Sequence, residues 1–354
     1  MKAVFLDLWN ALKKSSPHKK IIFSIILLLY IFVLAITNIK VNYQIITPGS
    51  INYTVATDTD SKDYWVVKIK EDNVAGNINT VGVYSHKQIT YFQYLIAKLS
   101  PWIDISEFNP KKDLSEEEEI IRGVLMKDYS ITDALIVAYE AAAKKNPEIK
   151  IAYSFQGLVV TAVAKNSESG LLPGDIIKRI DGQAFNNFDE FLEVLSANPD
   201  KGYKLRILRD GEEMILDSKK VSGIEVHEMM EIDSENTYPA YEINKNPRSI
   251  GPSGGAMMAL AIYNALLEED ITKGKFIIGT GTINLDGSVG AIGGVPQKIA
   301  TAAMYGADIF IIGEANYDEA KQAYEEMKHL FKPDFKLIKV KTFNDLISEL
   351  EALQ

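Results

Sequence analysis

The chain has 354 residues, 47% of them hydrophobic and 24% charged, with a formal net charge of −10. That length and apolar content support two or three globular domains with their own cores and exclude a disordered tail. The acid excess argues against nucleic acid and against docking on anionic lipid headgroups, and the lack of cysteine excludes a disulfide framework and any cysteine-based metal or redox centre.

Ile21 to Thr37 reads IIFSIILLLYIFVLAIT, 17 residues without a charge, with Lys13, Lys14, Lys19 and Lys20 before it and Lys40 after. At 1.5 Å per residue such a helix reaches about 25 Å, enough for a bilayer core when the flanking lysines snorkel. A single transmembrane helix is therefore predicted over 21–39. Residues 1–20 carry five lysines and one aspartate, a balance of +4 that keeps the N-terminus cytoplasmic by the positive-inside rule. The remainder, from about residue 41, then lies outside the cell membrane and carries −15, the whole being −10 with +4 on residues 1–20 and +1 on Lys40. A cleaved signal peptide is the competing reading, but the apolar run is long for one and Ala35-Ile36-Thr37 is a poor cleavage site.

Residues 41–110 contain strand-like runs at Tyr64 to Ile69 and Asn79 to Tyr84, then an apolar helix-like stretch around Phe92 to Leu99. The residues alone leave it open whether this is an independent small domain. Ser115 and Glu118 are spaced as a capping box within Asp113-Leu114-Ser115-Glu116-Glu117-Glu118-Glu119, so this acidic run reads as a helix start.

Between 120 and 222 the pattern changes to strands and turns. Leu158 to Val163 and Ile176 to Ile180 read as strands, with Asp181-Gly182 as a turn. A helix follows in which Phe188, Phe191, Leu192 and Leu195 share one face after Asn187 as cap, and Tyr203 to Leu208 and Glu213 to Asp217 form a hairpin through Asp210-Gly211. This order, with Gly170-Leu171-Leu172-Pro173-Gly174-Asp175, resembles the bacterial PDZ arrangement. By that resemblance, Phe155, Gln156, Gly157 and Leu158 stand where PDZ domains place the loop that receives a chain-terminal carboxylate, and the domain would extend its sheet with a peptide strand. A module that only gates or packs against its neighbour remains the alternative.

The most informative segment is Gly251-Pro252-Ser253-Gly254-Gly255-Ala256, followed by Gly293-Gly294-Val295-Pro296-Gln297-Lys298. A serine hydroxyl needs a base to become a nucleophile, and a lysine can be that base only when neutral. Its pKa must then fall from about 10.4 toward 7 or 8, which burial among apolar groups can accomplish. Ile299 to Gly306 carries no charge, so Lys298 sits on such an apolar helix, with Pro296 in its first turn and Gly306 ending it. Pro252 fixes the approach to Ser253, the glycines after it let a substrate backbone come close, and the helix over Met257 to Leu267 points its free N–H groups at the serine. An uncommitted flexible turn is the bland alternative.

These motifs, together with Gly279-Thr280-Gly281-Thr282-Ile283 and Asp286-Gly287-Ser288-Val289-Gly290, resemble the proteolytic domain of the Lon family over Ile250 to Asn316. More narrowly they resemble the membrane-anchored, PDZ-containing Lon-like proteases of Gram-positive bacteria. The resemblance implies an α/β (α+β) Lon-type domain over 225–348 whose first part is residues 41–110, separated by the PDZ insertion at 120–222. It implies Ser253 as nucleophile, Lys298 as general base, Thr280 orienting the lysine, Gly254 as a supporting neighbour, and a ring-forming homo-oligomer. Gly254 departs from the alanine that usually follows this serine. Ile250 stands where ATP-dependent bacterial Lon enzymes carry an acid.

His18, His86, His227 and His329 lie far apart without ligand spacing, so a metal site is not expected. Gly251-x-Ser253-x-Gly255 with Asp318 and His329 matches a hydrolase triad in order, but that fold needs a strand into the serine and Asn244 to Ser249 is a poor one. No phosphate-binding G-x-x-x-x-G-K-[ST] motif occurs, so neither ATP nor any other cofactor is expected. The expectation is an ATP-independent serine endopeptidase anchored in the membrane and acting outside the cell on peptides or unfolded protein. The rival is a non-catalytic surface receptor built on an inert protease-like scaffold.

Overall fold

The computed structural model describes residues 13–53, 66–69, 77–198, 201–244 and 250–353. The expected strand over Tyr64 to Ile69 lies partly outside these residues, and so does most of the segment preceding the serine. The chain forms two compact units, one made of the residues up to Ile45 with His86–Asn109, the other of Ile46–Ser85 with Pro110 onward.

In the first unit, α1 (Pro17–Asn38) opens on Pro17 and is apolar throughout, with mean hydropathy 2.6 over its best window and none of that window buried. It is long and apolar enough to cross a membrane. The start of β1 (Tyr43–Tyr53), the end of β3 (Ile78–Lys87), α2 (Tyr91–Ala97) and β4 (Asp104–Glu107) complete this unit. Thr90 and Gln93 cap α2 reciprocally, and Ile45, Ile89 and Ala97 form its small core.

The second unit begins with the rest of β1 and includes β2 (Val67–Ile69) and most of β3. Helix α3 (Glu116–Ala143) starts at the Ser115–Glu118 capping box, with both reciprocal hydrogen bonds made and four glutamates in the first turn, where the helix dipole favours acid. The sequence places residues 120–150 in the PDZ-like module. Instead α3 buries Ile131, Ala134, Leu135 and Ala138 in the same core as the serine-bearing region, because its long apolar face matches the helix that follows Ser253.

A smaller sheet domain follows, built from β5 (Tyr153–Val163), β6 (Ile176–Ile180), β7 (Gln183–Ala184), α4 (Phe188–Ala197), β8 (Tyr203–Arg209), β9 (Glu212–Ser218) and β10 (Ile224–Ile232). The strand order is β10-β5-β6-β8-β9, with β7 beside β6. Asn187 caps α4 by accepting from Glu190 N, and Phe191 enters a core with Leu158, Val160, Ile177 and Leu205. Asp175, buried at the end of the Leu-Leu-Pro-Gly-Asp turn, accepts from Leu172 N (2.8 Å) and from two nitrogens of Arg209 (2.7 Å each), so this motif residue is a structural clamp. Strand β10 lies beyond residue 222, so the sheet extends past the expected boundary.

After β11 (Tyr241–Ile243), which pairs with β2, the chain reaches α5 (Gly255–Leu266) and then β12 (Ile277–Thr280), the hairpin of β13 (Thr282–Ile283) with β14 (Val289–Gly290), α6 (Val295–Tyr305), β15 (Ile309–Gly313), α7 (Tyr317–Met327), β16 (Lys336–Val340) and α8 (Phe343–Glu351). In the main sheet β16, β15, β12, β3 and β1 follow one another. The pairs β16–β15, β15–β12 and β12–β3 are parallel, with Gly279 opposite Thr80 and Ile311. Every residue of α5 is buried. A Cβ at Gly255 would lie 2.7 Å from Ser130 Oγ and 2.8 Å from Ile283 Cγ2, so only glycine lets α5 start this deep.

Candidate active site

Parallel α/β sheets present ligands at the carboxyl ends of their strands. Here the carboxyl end of β12 delivers Thr280 to the start of α5, and Thr80, near the beginning of β3, lies against Gly254 there. The chain enters that helix through Gly251, whose φ of +87° is open to glycine and strained for a side-chain-bearing residue. Ser253 follows, partly exposed, in the turn just before α5. Its carbonyl accepts from Thr280 Oγ1 (2.8 Å) and from Gly281 N (2.7 Å), while Ala256 N donates to Gly281 O (3.0 Å). The serine backbone is thereby pinned to the end of β12. The N–H groups of Ser253 and Gly254 donate to nothing among the described residues, which leaves two donors at the positive end of a helix for an oxyanion.

Lys298 reaches the same place from the first turn of α6, which begins after Gly294 in the left-handed region (φ +69°) and ends at Gly306 in the same conformation. The lysine is 2% exposed. Its Nζ donates to Thr280 Oγ1 at 2.9 Å. Because the single Thr280 hydroxyl proton is directed at the Ser253 carbonyl, the threonine oxygen is left as an acceptor for the lysine. No carboxylate pairs with this amine among the described residues, and burial pushes its pKa from 10.5 down to about 7. Among the described residues no hydrogen bond joins Lys298 Nζ to Ser253 Oγ; Thr280 links the lysine amine to the main-chain carbonyl of Ser253. A neutral amine at this place can take a hydroxyl proton, and the serine stands on the adjoining turn.

Ser253, Gly254, Thr280 and Lys298 thus converge. Gly254 also has its explanation: a Cβ there would meet Thr80 Cγ2 at 2.8 Å, so the threonine of β3 occupies the volume an alanine methyl would need. Ile250, where an acid stood as the alternative, lies against Gly123 of α3, a Cβ on which would be 3.0 Å from Ile250 Cδ1.

Phe155, Gln156, Gly157 and Leu158, expected in a loop, stand in a strand. They lie inside β5, where Phe155, Gly157 and Leu158 pair with Met230, Met229 and Glu228 of β10, and Leu158 pairs with Ile177 of β6 on the other side. Residues 155–157 pair with β10 alone, since β6 takes up only Leu158 and Val159. The apolar groove of this domain, about 470 Å³, runs between α4 and the terminal strand β10, lined by Phe188, Leu192, Leu195, Val221, Gly223 and Val226.

Helix α3 supplies contacts that sequence reasoning missed. Gly123 O accepts from Gly251 N (2.8 Å) and Ser130 Oγ donates to Pro252 O (3.3 Å), so α3 buttresses the serine turn. Lys127 between them is 3% exposed, with Nζ 3.7 Å from Met258 Sδ of α5; burial lowers its pKa to about 8 against the opposing pull of Asp128. A helical period puts Lys127 on the stripe of Ile131, Ala134 and Leu135, the one signal that could have exposed it. The same helix reaches β10, where Arg122 pairs with Glu225 (2.7 Å) and buried Asp133 lies 2.9 Å from His227.

A serine at a helix N-terminus, linked by its carbonyl through Thr280 to a desolvated lysine, is a candidate hydrolase site of the Ser-Lys type. The comparisons with known proteins agree: residues 227–352 match the Lon protease (S16) C-terminal proteolytic domain. The chain is 29% identical over 128 residues to the Lon protease of Aster yellows witches'-broom phytoplasma, 48% over 66 residues to the archaeal Lon protease of Methanocaldococcus jannaschii, and 32% over 123 residues to the Lon protease of Campylobacter concisus. These stretches cover 36%, 19% and 33% of this chain and 15%, 10% and 14% of those proteins. The chain therefore carries a Lon-type proteolytic domain, a serine peptidase domain, and shares only a small part of its relatives' length.

Proposed function

We propose that this chain is a membrane-anchored, ATP-independent serine endopeptidase that cuts exported peptides or flexible envelope proteins outside the cell. The observation that carries the reading is Lys298, 2% exposed, whose Nζ among the described residues bonds Thr280 Oγ1, which in turn holds the Ser253 carbonyl. In the proposed reaction neutral Lys298 Nζ takes the Ser253 hydroxyl proton as Oγ bonds to the scissile carbonyl carbon. The oxyanion is held by the N–H groups at the start of α5. The resulting ammonium returns its proton to the leaving amine as the C–N bond breaks, and a water deprotonated by the same lysine then releases the acyl group.

The anchor reading rests on α1 and on the lysines before it. A PDZ-type role for the smaller domain is supported by the groove beside β10, an edge strand to which a peptide strand can add. Ring formation follows from the family resemblance. Purified full chain in detergent, assayed against a library of flexible peptides, tests the catalytic reading. Ser253→Ala and Lys298→Ala are expected to abolish cleavage and His329→Ala to leave it unchanged; cleavage that survives either of the first two substitutions overturns it.

A further inference from the structure

A soluble helix this short would turn one apolar face to its core and a polar face to water, but α2 does not. Tyr94 and Ala97 face the small core of the first unit. Phe92 (43% exposed), Leu95 (39%), Ile96 (48%) and Leu99 (80%) point away from it, together with Tyr91. At 100° per residue the four of these within the helix cover an arc of about 140°, and Leu99 lies in the turn that ends it. A contiguous outward face of large apolar residues marks an interaction surface, unlike single exposed leucines.

What covers that face follows from where α2 is tied. Tyr91 N donates to Ile39 O (2.8 Å) and Thr90 bridges Lys40, so α2 begins beside the two residues that follow α1, and the two helices pack together. A 22-residue α1 is about 33 Å long, close to the thickness of a bilayer core. If α1 spans, Ile39 and Lys40 are at the membrane surface and α2 must be there too. The unit has the side chains of that zone: Tyr43, Tyr91, Tyr94 and Trp102 are aromatic groups with a polar end, and Lys40, Lys87 and Lys98 outnumber Asp104 and Glu107. The acid excess of the rest of the chain is therefore not concentrated here.

We propose that α2 is an interfacial foot whose Phe92, Leu95, Ile96 and Leu99 insert into the headgroup and upper acyl region of the bilayer that α1 crosses. The proposal rests on the anchor reading of α1. Because the occupant is lipid, the contact requires no anionic headgroup and no second protein.

The cysteine-free chain permits a direct test. Single substitutions Phe92→Cys, Ile96→Cys and Leu99→Cys, each labelled with an environment-sensitive fluorophore, are reconstituted as full chain in phosphatidylcholine vesicles. Leu28→Cys in the middle of α1 and Lys328→Cys on the second unit serve as references. The labels on α2 should be quenched roughly twofold more by a doxyl group near the head of the acyl chain than by one near its middle, and be protected from iodide, whereas the Lys328→Cys label should show the reverse access. Labels on α2 open to iodide and untouched by doxyl lipid overturn the proposal. So do labels shielded from both quenchers, since that result means a protein covers the face. If the Leu28→Cys label escapes the deep quencher, the anchor reading itself is wrong; if it is quenched and the α2 labels are not, only the foot is wrong.

Discussion

Replacing Lys298 by methionine should destroy peptidase activity and at the same time make the protein more stable at low pH. The amine is held at a pKa of about 7 against 10.5 for a free lysine, by burial. A fall of roughly 3.5 pH units corresponds to about 5 kcal/mol between the charged and neutral forms. Well below pH 7 the lysine is protonated in both the folded and unfolded chain, and the whole desolvation penalty weighs on the fold. Between 7 and 10.5 the folded lysine is neutral while the unfolded one keeps its proton, so the parent gains stability as pH rises; above that range the penalty is gone. By this linkage the penalty is about 5 kcal/mol at about pH 6 and about 1 kcal/mol at about pH 9.5. Methionine fills nearly the same volume and loses about 1 kcal/mol by leaving Thr280 Oγ1 without its donor. The melting temperature of Lys298→Met, read by tryptophan fluorescence in detergent micelles, should exceed that of the parent by several degrees at about pH 6, with more than half of the advantage lost at about pH 9.5. Buried Lys127 is common to both proteins and cancels from the difference. A variant that melts below its parent at the lower pH, or a gap that does not change with pH, would refute the desolvated-amine argument.

In kcat/KM for a fluorogenic peptide, the same lysine should appear as an ascending limb with a midpoint near 7; a limb near 10 would mean an ordinary solvated amine. Thr280→Val removes the acceptor for Lys298 and a donor to Ser253 O, so kcat should fall at least about tenfold while Thr280→Ser retains most activity; equal activities in a side-by-side assay would remove Thr280 from the site. Gly254→Ala should lower stability and activity because its methyl meets Thr80 Cγ2, and the double variant with Thr80→Ser, which lacks that methyl, should recover about 1–2 kcal/mol in a double-mutant cycle. Strict additivity of the two would mean that Thr80 does not fill the site. Arg209→Met leaves buried Asp175 without its partner and should destabilise the smaller domain by about 3–5 kcal/mol, seen as an earlier melting step in calorimetry.

Much of the local structure was legible from residue order because its causes lie within a few residues of one another. The Ser115–Glu118 box, the Asn187 cap, the Gly306 stop and the Asp210-Gly211 hairpin all depend on i to i+3 or i+4 hydrogen bonds or on a backbone angle that glycine permits. The apolar run of α1 is likewise a property of one window. The serine and lysine were recognisable because their chemistry requires an unusual setting: a helix start packed with glycine for one, and an uncharged helix for the other.

Tertiary structure decided everything that depended on which distant segment came alongside. Strand β3 pairs with β12 although roughly 200 residues separate Ile78 from Ile277, and only that pairing brings Thr80 against Gly254. Helix α3 could be read as a helix but not as part of the protease core, since its apolar face is compatible with more than one partner. The same holds for the smaller sheet: alternation marks β5 as a strand without saying that β10 will occupy its edge. Sequence therefore determined the candidate serine and lysine and the ends of the elements, where the forces act locally. The lysine's loss of charge, the threonine link to the serine and the location of the groove depend on burial and pairing between segments far apart in the chain, and those exist only in the folded molecule.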